Sequence, residues 1–258
     1  MTQIIAIAGV TIREALRQKL AVNLLVFALA LVAASITISN LTFGEQYRII
    51  ANIGLSAMEV FGTLIVTFLG AGLVARDVER KTVYTIITKP VSRARYVLGR
   101  YLGLLVTATA NLLIMAAVFL LVLAIYLGGA GFLRDTPVLA VLLAMAVQFA
   151  MVGGIATLFS SFSTPTLAAI FTLSSVVAGH LSSDLVRYWS KQGALQGALG
   201  KVAYVLVPNL EALNIKDTMV YKDPVSASFY LTGIGYGILY AAAVTLLAAV
   251  VFSRRDLR

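Results

Sequence analysis

Cysteine is absent from this chain of 258 residues, and histidine occurs once. Without thiolates the chain forms no disulfide, no iron–sulfur cluster and no Cys-ligated metal site. The one histidine, His180, the scattered acids and six dispersed methionines offer no ligand cluster, so no metal site is expected. Charge is scarce too: 12% of residues are Asp, Glu, Lys or Arg against 60% apolar, and the mean hydropathy is +0.95. Such a composition belongs to a membrane protein. It leaves no room for a folded basic surface that reads nucleic acid, so nucleic acid is not an expected partner and the pI near 9.9 needs another origin.

Nucleotide and hydrolase motifs are missing as well. The stretch 195–202 ends in Gly200 and Lys201, but Leu195 stands where a phosphate loop needs its first glycine and Val202 where it needs Ser or Thr. Gly233, Gly235 and Gly237 follow no strand, so they read as close helix packing through Gly233 and Gly237, and Gly99 and Gly103 read the same way. His180 has Ser182, Ser183 and Asp184 just behind it, a set that invites a Ser–His pairing for intramembrane hydrolysis. Neighbours that close on one helix do not face each other, which favours a packing or interfacial histidine.

What the chain has is six continuous apolar runs: 20–39, 55–75, 96–127, 137–159, 166–186 and 229–252. Crossing about 30 Å of hydrocarbon at about 1.5 Å per helical residue takes about 20 residues, and unbroken apolar runs cross as helices. The expected fold is an all-α integral membrane protein with six transmembrane helices in a single domain. The third run is long enough to tilt or protrude. No internal repeat is visible, which gives no support to an inverted-repeat transporter.

Two further helices are expected outside the runs. In residues 1–19 and the start of the first run, Ile5, Ala8, Ile12, Ala15, Leu16 and Leu20 recur at helical spacing. Arg13, Glu14, Arg17 and Gln18 fall elsewhere, as in an amino-terminal interfacial helix. A simple extension of the first span is the alternative. The charges follow the apolar stretch 4–10 instead of preceding it, unlike a cleaved signal. In the outer stretch 187–228, Ala194, Leu195, Ala198, Leu199 and Val202 predict an amphipathic helix ended by Pro208, which packs over the outer mouth or merely closes the fold.

Charge sets the topology. With an even number of spans both termini share a side, and cytoplasmic flanks collect Lys and Arg. On that side fall 13 basic and 4 acidic residues, 13 − 4 = +9; on the other fall 7 and 7, 7 − 7 = 0. The whole net charge is then cytoplasmic. Glu59, in the first turns of the second span, is a possible pathway residue because ionisable groups in spans are functional by default. Nearer the headgroups it would only pair with Arg48.

The most informative stretch runs from 75 to 103, ARDVERKTVYTIITKPVSRARYVLGRYLG. Its basic residues are Arg76, Arg80, Lys81, Lys89, Arg93, Arg95 and Arg100. Asp77 and Glu79 come early, where they complement a helix dipole, and Pro90 stops the pattern. Thr82, Val83, Ile86 and Ile87 form an apolar edge on an otherwise charged helix, which suits docking into a cleft of a partner protein. Lying on anionic lipid is the plainer use of the same charges.

The pattern Glu79, Thr82, Ile86, Ile87, Lys89-Pro90-Val91-Ser92-Arg93 and Leu98-Gly99-Arg100 resembles the inner loop of ABC-2 type permeases, the membrane subunits of one class of ATP-binding-cassette exporters. The similarity covers nearly the whole chain, including Pro-Asn-Leu-Glu at 208–211, and is greatest to the branch named for a copper-enzyme maturation permease. Many relatives have Gly where this chain has Lys81. The lack of soft ligands gives no copper path. The resemblance implies that residues 76–92 form a coupling segment that binds a separate ATPase subunit. Its contact residues would be Arg76, Asp77, Glu79, Arg80, Lys81, Thr82, Val83, Ile86, Ile87, Lys89, Pro90 and Arg93. It further implies that ATP and Mg are held by that partner, with no cofactor in this chain. A second copy of the permease, the lipid bilayer as solvent and an inner-membrane location with both termini cytoplasmic complete the expectation. Two other readings stay open on residue types alone: a secondary transporter or channel without an ATPase, and an intramembrane hydrolase.

Overall fold

The computed structural model describes residues 2–39, 46–79, 92–127, 129, 137–189, 207–216, 220 and 227–255. Helices α1 (Thr2–Leu16) and α2 (Lys19–Ser39) are separated by Arg17 and Gln18 and meet at a bend of 63°. The first helix is therefore no straight extension of the second. Then come α3 (Gln46–Ala71), the short α4 (Ala75–Glu79), α5 (Arg93–Leu127), α6 (Val138–Phe162), α7 (Pro165–Trp189), a 3-10 turn (Glu211–Leu213) and α8 (Ala227–Arg254). No strand occurs among the described residues. Five helices are long and apolar enough to cross a membrane by themselves, and the bent α1–α2 pair makes a sixth.

Local chemistry sets several boundaries. Ser92 caps α5, its hydroxyl accepting from the Arg95 amide at 3.4 Å, two residues after Pro90. Thr164 and Pro165 start α7 in the same way, with the cap hydroxyl 3.5 Å from the Leu167 amide and proline at the first helical position. Only Ser163 and Thr164 separate α6 from α7. Helix α3 begins at Gln46, well before the apolar run that starts at 55, because Ile50, Ala51 and Gly54 are buried and continue its packed face. At 35 residues α5 is roughly 52 Å long, more than the bilayer core, so it protrudes.

The helices pack as small-against-large surfaces. Gly54 and Gly62 of α3 lie under the rings of Phe119 in α5 and Phe149 in α6, and a Cβ at either glycine would occupy the ring's place. Helix α1 lies across α5 at Gly99 and Gly103. A Cβ on Gly99 would meet Ile7 at 2.9 Å, and one on Gly103 would meet Thr11 at 2.6 Å. Without a hydrophobic drive between helices in lipid, such close approach supplies the attraction. It also splits the apolar row expected on α1: Ala15 is buried while Ile5 and Leu16 face outward, since a glycine crossing takes small side chains. Leu102, Val106, Leu113, Leu121 and Ile125 leave a broad apolar face on α5 for lipid.

Candidate functional site

The bundle has two polar ends. One holds the start of α5 and the ends of α3, α6 and α8. There Arg100, only 5% exposed, reaches two carboxylates: Asp77 of α4, which it contacts directly, and Glu14 of α1 at 2.6 Å. The Tyr96 hydroxyl, one helical turn before, donates to the same Asp77 oxygen and lies 3.3 Å from Arg100 Nε. Thr11 Oγ1 is 3.5 Å from the guanidinium. A buried guanidinium is tolerable only when paired and hydrogen-bonded in this manner. The cluster ties α1, α4 and α5 together.

A second device acts on α4 directly. Between α3 and α4 the helix breaks at 72–74, and the Ser160 hydroxyl of α6 fills the gap. It accepts from the Val74 and Ala75 amides, each at 3.0 Å, and donates to the Ala71 carbonyl at 2.8 Å. Backbone groups freed by a broken helix must be satisfied inside a membrane protein, and one serine does so for three. Nearby, Arg93 donates to the carbonyls of Ser253 at 3.2 Å and Arg255 at 2.8 Å, while Arg255 donates to Ser161 O at 2.9 Å. The starts and ends of α5, α6 and α8 are thus laced together.

At the opposite end a second charged cluster gathers around Glu59, which is 6% exposed. Its carboxylate accepts from Lys216 Nζ at 2.9 Å and from Gln148 Nε2 at 3.1 Å. His180 stands between Glu59, at 3.8 Å from Nε2, and Glu211, at 3.7 Å from Nδ1. The hydroxyl of Ser182 is bonded to the Gly179 carbonyl of its own helix at 2.8 Å. Above this cluster the stretch 207–216 is wedged between helices. A Cβ on Gly179 would meet the Pro208 carbonyl at 2.6 Å, one on Gly233 the Ala212 carbonyl at 2.8 Å, and one on Gly237 Val147 and Leu213.

Between the two ends, Thr63 and Thr67 continue the Glu59 row at intervals of four on α3. Their hydroxyls are buried without a hydrogen-bond partner among the described residues. The same row ends at Ala71, packed on Ala168 and Ala169 of α7, as Glu59 at its start approaches His180 of α7. The row therefore tracks the α3–α7 seam.

A family model described as ABC-2 family transporter protein matches residues 2–257. The chain belongs to that family. No curated protein matches it. The permease is a multi-pass membrane component of an ABC transporter.

Of the residues expected to touch an ATPase subunit, four are described in the permease. Arg76 is half-buried, Glu79 is exposed, Asp77 points into the Arg100 cluster, and Arg93 bonds the end of α8. Arg80, Lys81, Thr82, Val83, Ile86, Ile87, Lys89 and Pro90 fall outside the described residues, as does the amphipathic helix expected at 194–206. Sequence reasoning gave no role to Glu14, Tyr96 or Ser160, and it read Arg100 as one of the basic residues of the stretch and as part of the Leu98-Gly99-Arg100 pattern, without its buried partners. Gln148 carried a usable signal, a lone amide in a run of apolar residues; Lys216, in a polar stretch, carried none.

Proposed function

We propose that this permease forms half of the membrane path of an exporter whose ATP hydrolysis, with its Mg, resides in a separate ATPase subunit. Residues 76–92 are the coupling segment, a second permease copy completes the path, and both termini lie in the cytoplasm, across the inner membrane. The chain itself performs no chemistry.

The observation that carries this reading is the clamp on α4. That helix leads straight into residue 80, and it is held to α5 and α1 through Asp77, Arg100 and Glu14, and to α6 through Ser160. A load applied to the coupling segment would therefore reach α1, α5 and α6 as a rigid-body shift instead of bending a loop. In this reading Asp77 and Arg93 position the segment from behind, while Arg80, Lys81, Thr82, Val83, Ile86 and Ile87 meet the ATPase. Charged groups set register and encounter, and the apolar edge supplies burial.

Co-expression with a Walker-type ATPase tests the proposal. The two should purify together, and ATP hydrolysis should depend on the ATPase alone for chemistry and on the permease for stimulation. Because cysteine is absent, single cysteines at Ser92 and Ser253 should react with an impermeant maleimide only from the cytoplasm, and one at Ser190 only from outside. Outside labelling of Ser92→Cys would refute the topology.

A further inference from the structure

A threonine buried in a helix can give its hydroxyl proton to the carbonyl one turn back, and five do so here. Thr11, Thr107, Thr157, Thr172 and Thr245 donate to Ile7, Gly103, Gly153, Ala168 and Ala241. Thr63 and Thr67 are buried as deeply, at 6% and 0% exposure, and their hydroxyls have no partner among the described residues. A buried hydroxyl left unpaired is costly, and polar groups kept inside a span mark where a polar group is bound.

The two threonines lie about 6 Å and about 12 Å beyond Glu59 along α3. The neighbouring row of α3, Gly62, Val66 and Gly70, is taken up by Phe149, Gly153 and Ala156 of α6. On α7 the buried Ala168, Thr172 and Val176 lead up to His180 at intervals of four. With Glu59 beside His180 and Ala71 on Ala168, the two rows run antiparallel and face each other. The seam is polar from Glu59 to Thr67 and then stops at Ala71, Ala168 and Ala169, against which Phe68 and Phe159 pack.

Its mouth already shows what it accepts. The Gln148 amide holds Glu59 Oε1 at 3.1 Å and leaves Oε2 to a cation, the Lys216 ammonium at 2.9 Å. An ammonium brings three N–H donors and no acceptor, and beyond the carboxylate the hydroxyls of Thr63 and Thr67 are oxygens free to accept. An anion would meet the carboxylate and be repelled. The Lys216 side chain is 23% exposed, so the seated ammonium is within reach of solvent.

We infer, on the reading of this chain as half of an exporter path, that the α3–α7 seam is a binding site for a primary ammonium group. Glu59 is its carboxylate, Thr63 and Thr67 are hydroxyl acceptors further in, and Lys216 is a tethered occupant of the mouth. A free amine and an ethanolamine lipid headgroup share this chemistry.

Because cysteine is absent, Thr63→Cys and Thr67→Cys report on the seam without background. The full-length permease, in phosphatidylcholine nanodiscs without any ATPase, is treated with aminoethyl methanethiosulfonate, itself a primary ammonium, or with the anionic sulfonatoethyl reagent. Each rate is divided by that of the same reagent with a free thiol. With Lys216 in place both positions should react slowly. Lys216→Gln should speed the aminoethyl reagent roughly tenfold and leave the anionic one slow. Glu59→Gln with Lys216→Gln removes both members of the buried pair, which spares the fold an unpaired charge, and should admit the two reagents at similar rates, faster than the parent. Val66→Cys, turned to Gly153 of α6, should stay unreactive throughout. In Lys216→Gln, n-propylammonium should slow the aminoethyl reagent where equal sodium does not. Phosphatidylethanolamine in the nanodisc doing the same would identify a lipid headgroup as the source, and protection by the free amine alone a solute. Equal normalised rates for the two reagents in Lys216→Gln would overturn the site. So would a lack of protection by n-propylammonium, or reaction at 63 and 67 in the double variant no faster than at Val66→Cys. None of these results bears on docking to an ATPase, since no ATPase is present.

Discussion

The hydroxyl of Ser160 lies 3.0 Å from the amide nitrogen of Ala75 and stands in for the helical carbonyl that the break at 72–74 takes away. It does the same for Val74, and its own O–H donates a hydrogen bond to the Ala71 carbonyl. A single side chain on α6 thus fixes the direction in which α4 leaves the bundle. Ser160→Ala would leave two buried amides unsatisfied, at a cost of about 2–3 kcal/mol. Denaturant or thermal unfolding in detergent should register that loss, and ATPase stimulation by the variant should fall further than its stability does. A change under about 0.5 kcal/mol, the range of ordinary surface substitutions, would count against the role given to the serine.

Arg100 behaves differently, because it is a charge with two countercharges. Removing it in Arg100→Met takes the guanidinium countercharge away from the buried Asp77, which keeps the Tyr96 hydroxyl, and should cost about 3–5 kcal/mol, the range for breaking a buried pair from one side. Asp77→Leu alone leaves the guanidinium with Glu14 and Tyr96, so its penalty should be smaller. The double variant Asp77→Leu with Arg100→Met should recover part of the single loss, since the buried carboxylate leaves together with its guanidinium. Additive losses across this double-mutant cycle would mean that the two groups do not act as a pair.

The all-α membrane fold was legible because hydrocarbon enforces long apolar runs, and the runs are read without knowing their neighbours. The family was legible from the stretch 79–100. The break between α3 and α4 was not: no proline marks it, and the group that stabilises it is Ser160, far along the chain. Glu59 was noticed for being charged in a span, and the sequence offered Arg48 as a partner near by in the chain. The structure gives it Lys216, Gln148 and His180, residues that only the tertiary fold brings together. Arg100 is one of seven basic residues in the stretch, and among those described its burial separates it from Arg76, Arg93 and Arg95.

Close helix approach supplies a matched pair of substitutions. Gly103→Ala places a methyl 2.6 Å from Thr11 Cβ and 2.8 Å from the Ala8 carbonyl, so α1 must move away from α5. Gly235→Ala meets nothing within 4 Å and serves as the control. The first should destabilise by about 1–3 kcal/mol through overpacking, and the second should be neutral or slightly stabilising because alanine is the better helix former. Displacing α1 also draws Glu14 and Thr11 away from Arg100. Gly103→Ala combined with Glu14→Gln should therefore lose less than the sum of the two single losses. Equal stability of the Gly103 and Gly235 variants would refute the tight crossing.

The coupling segment gives the most decisive test, because docking on an ATPase and lying on lipid assign different work to the same residues. If Thr82, Val83, Ile86 and Ile87 enter a groove on the partner, Ile86→Asp buries an unpaired carboxylate at the contact. Association should then weaken by about 3–5 kcal/mol. Insertion and fold should survive, because the substitution lies beyond α4, so its clamps at Ser160 and Arg100 are untouched. Reversal of Arg80 and Lys81 to Glu should act instead on encounter and register, with a loss that shrinks as salt rises. A helix that only covers anionic lipid would lose membrane-surface affinity in the charge-reversed form and keep its subunit complex in both. Pull-down of the ATPase by each variant at low and high salt separates the two. Undiminished recovery by Ile86→Asp would sink the docking assignment, whereas loss of recovery with intact thermal stability would localise the contact to that apolar edge.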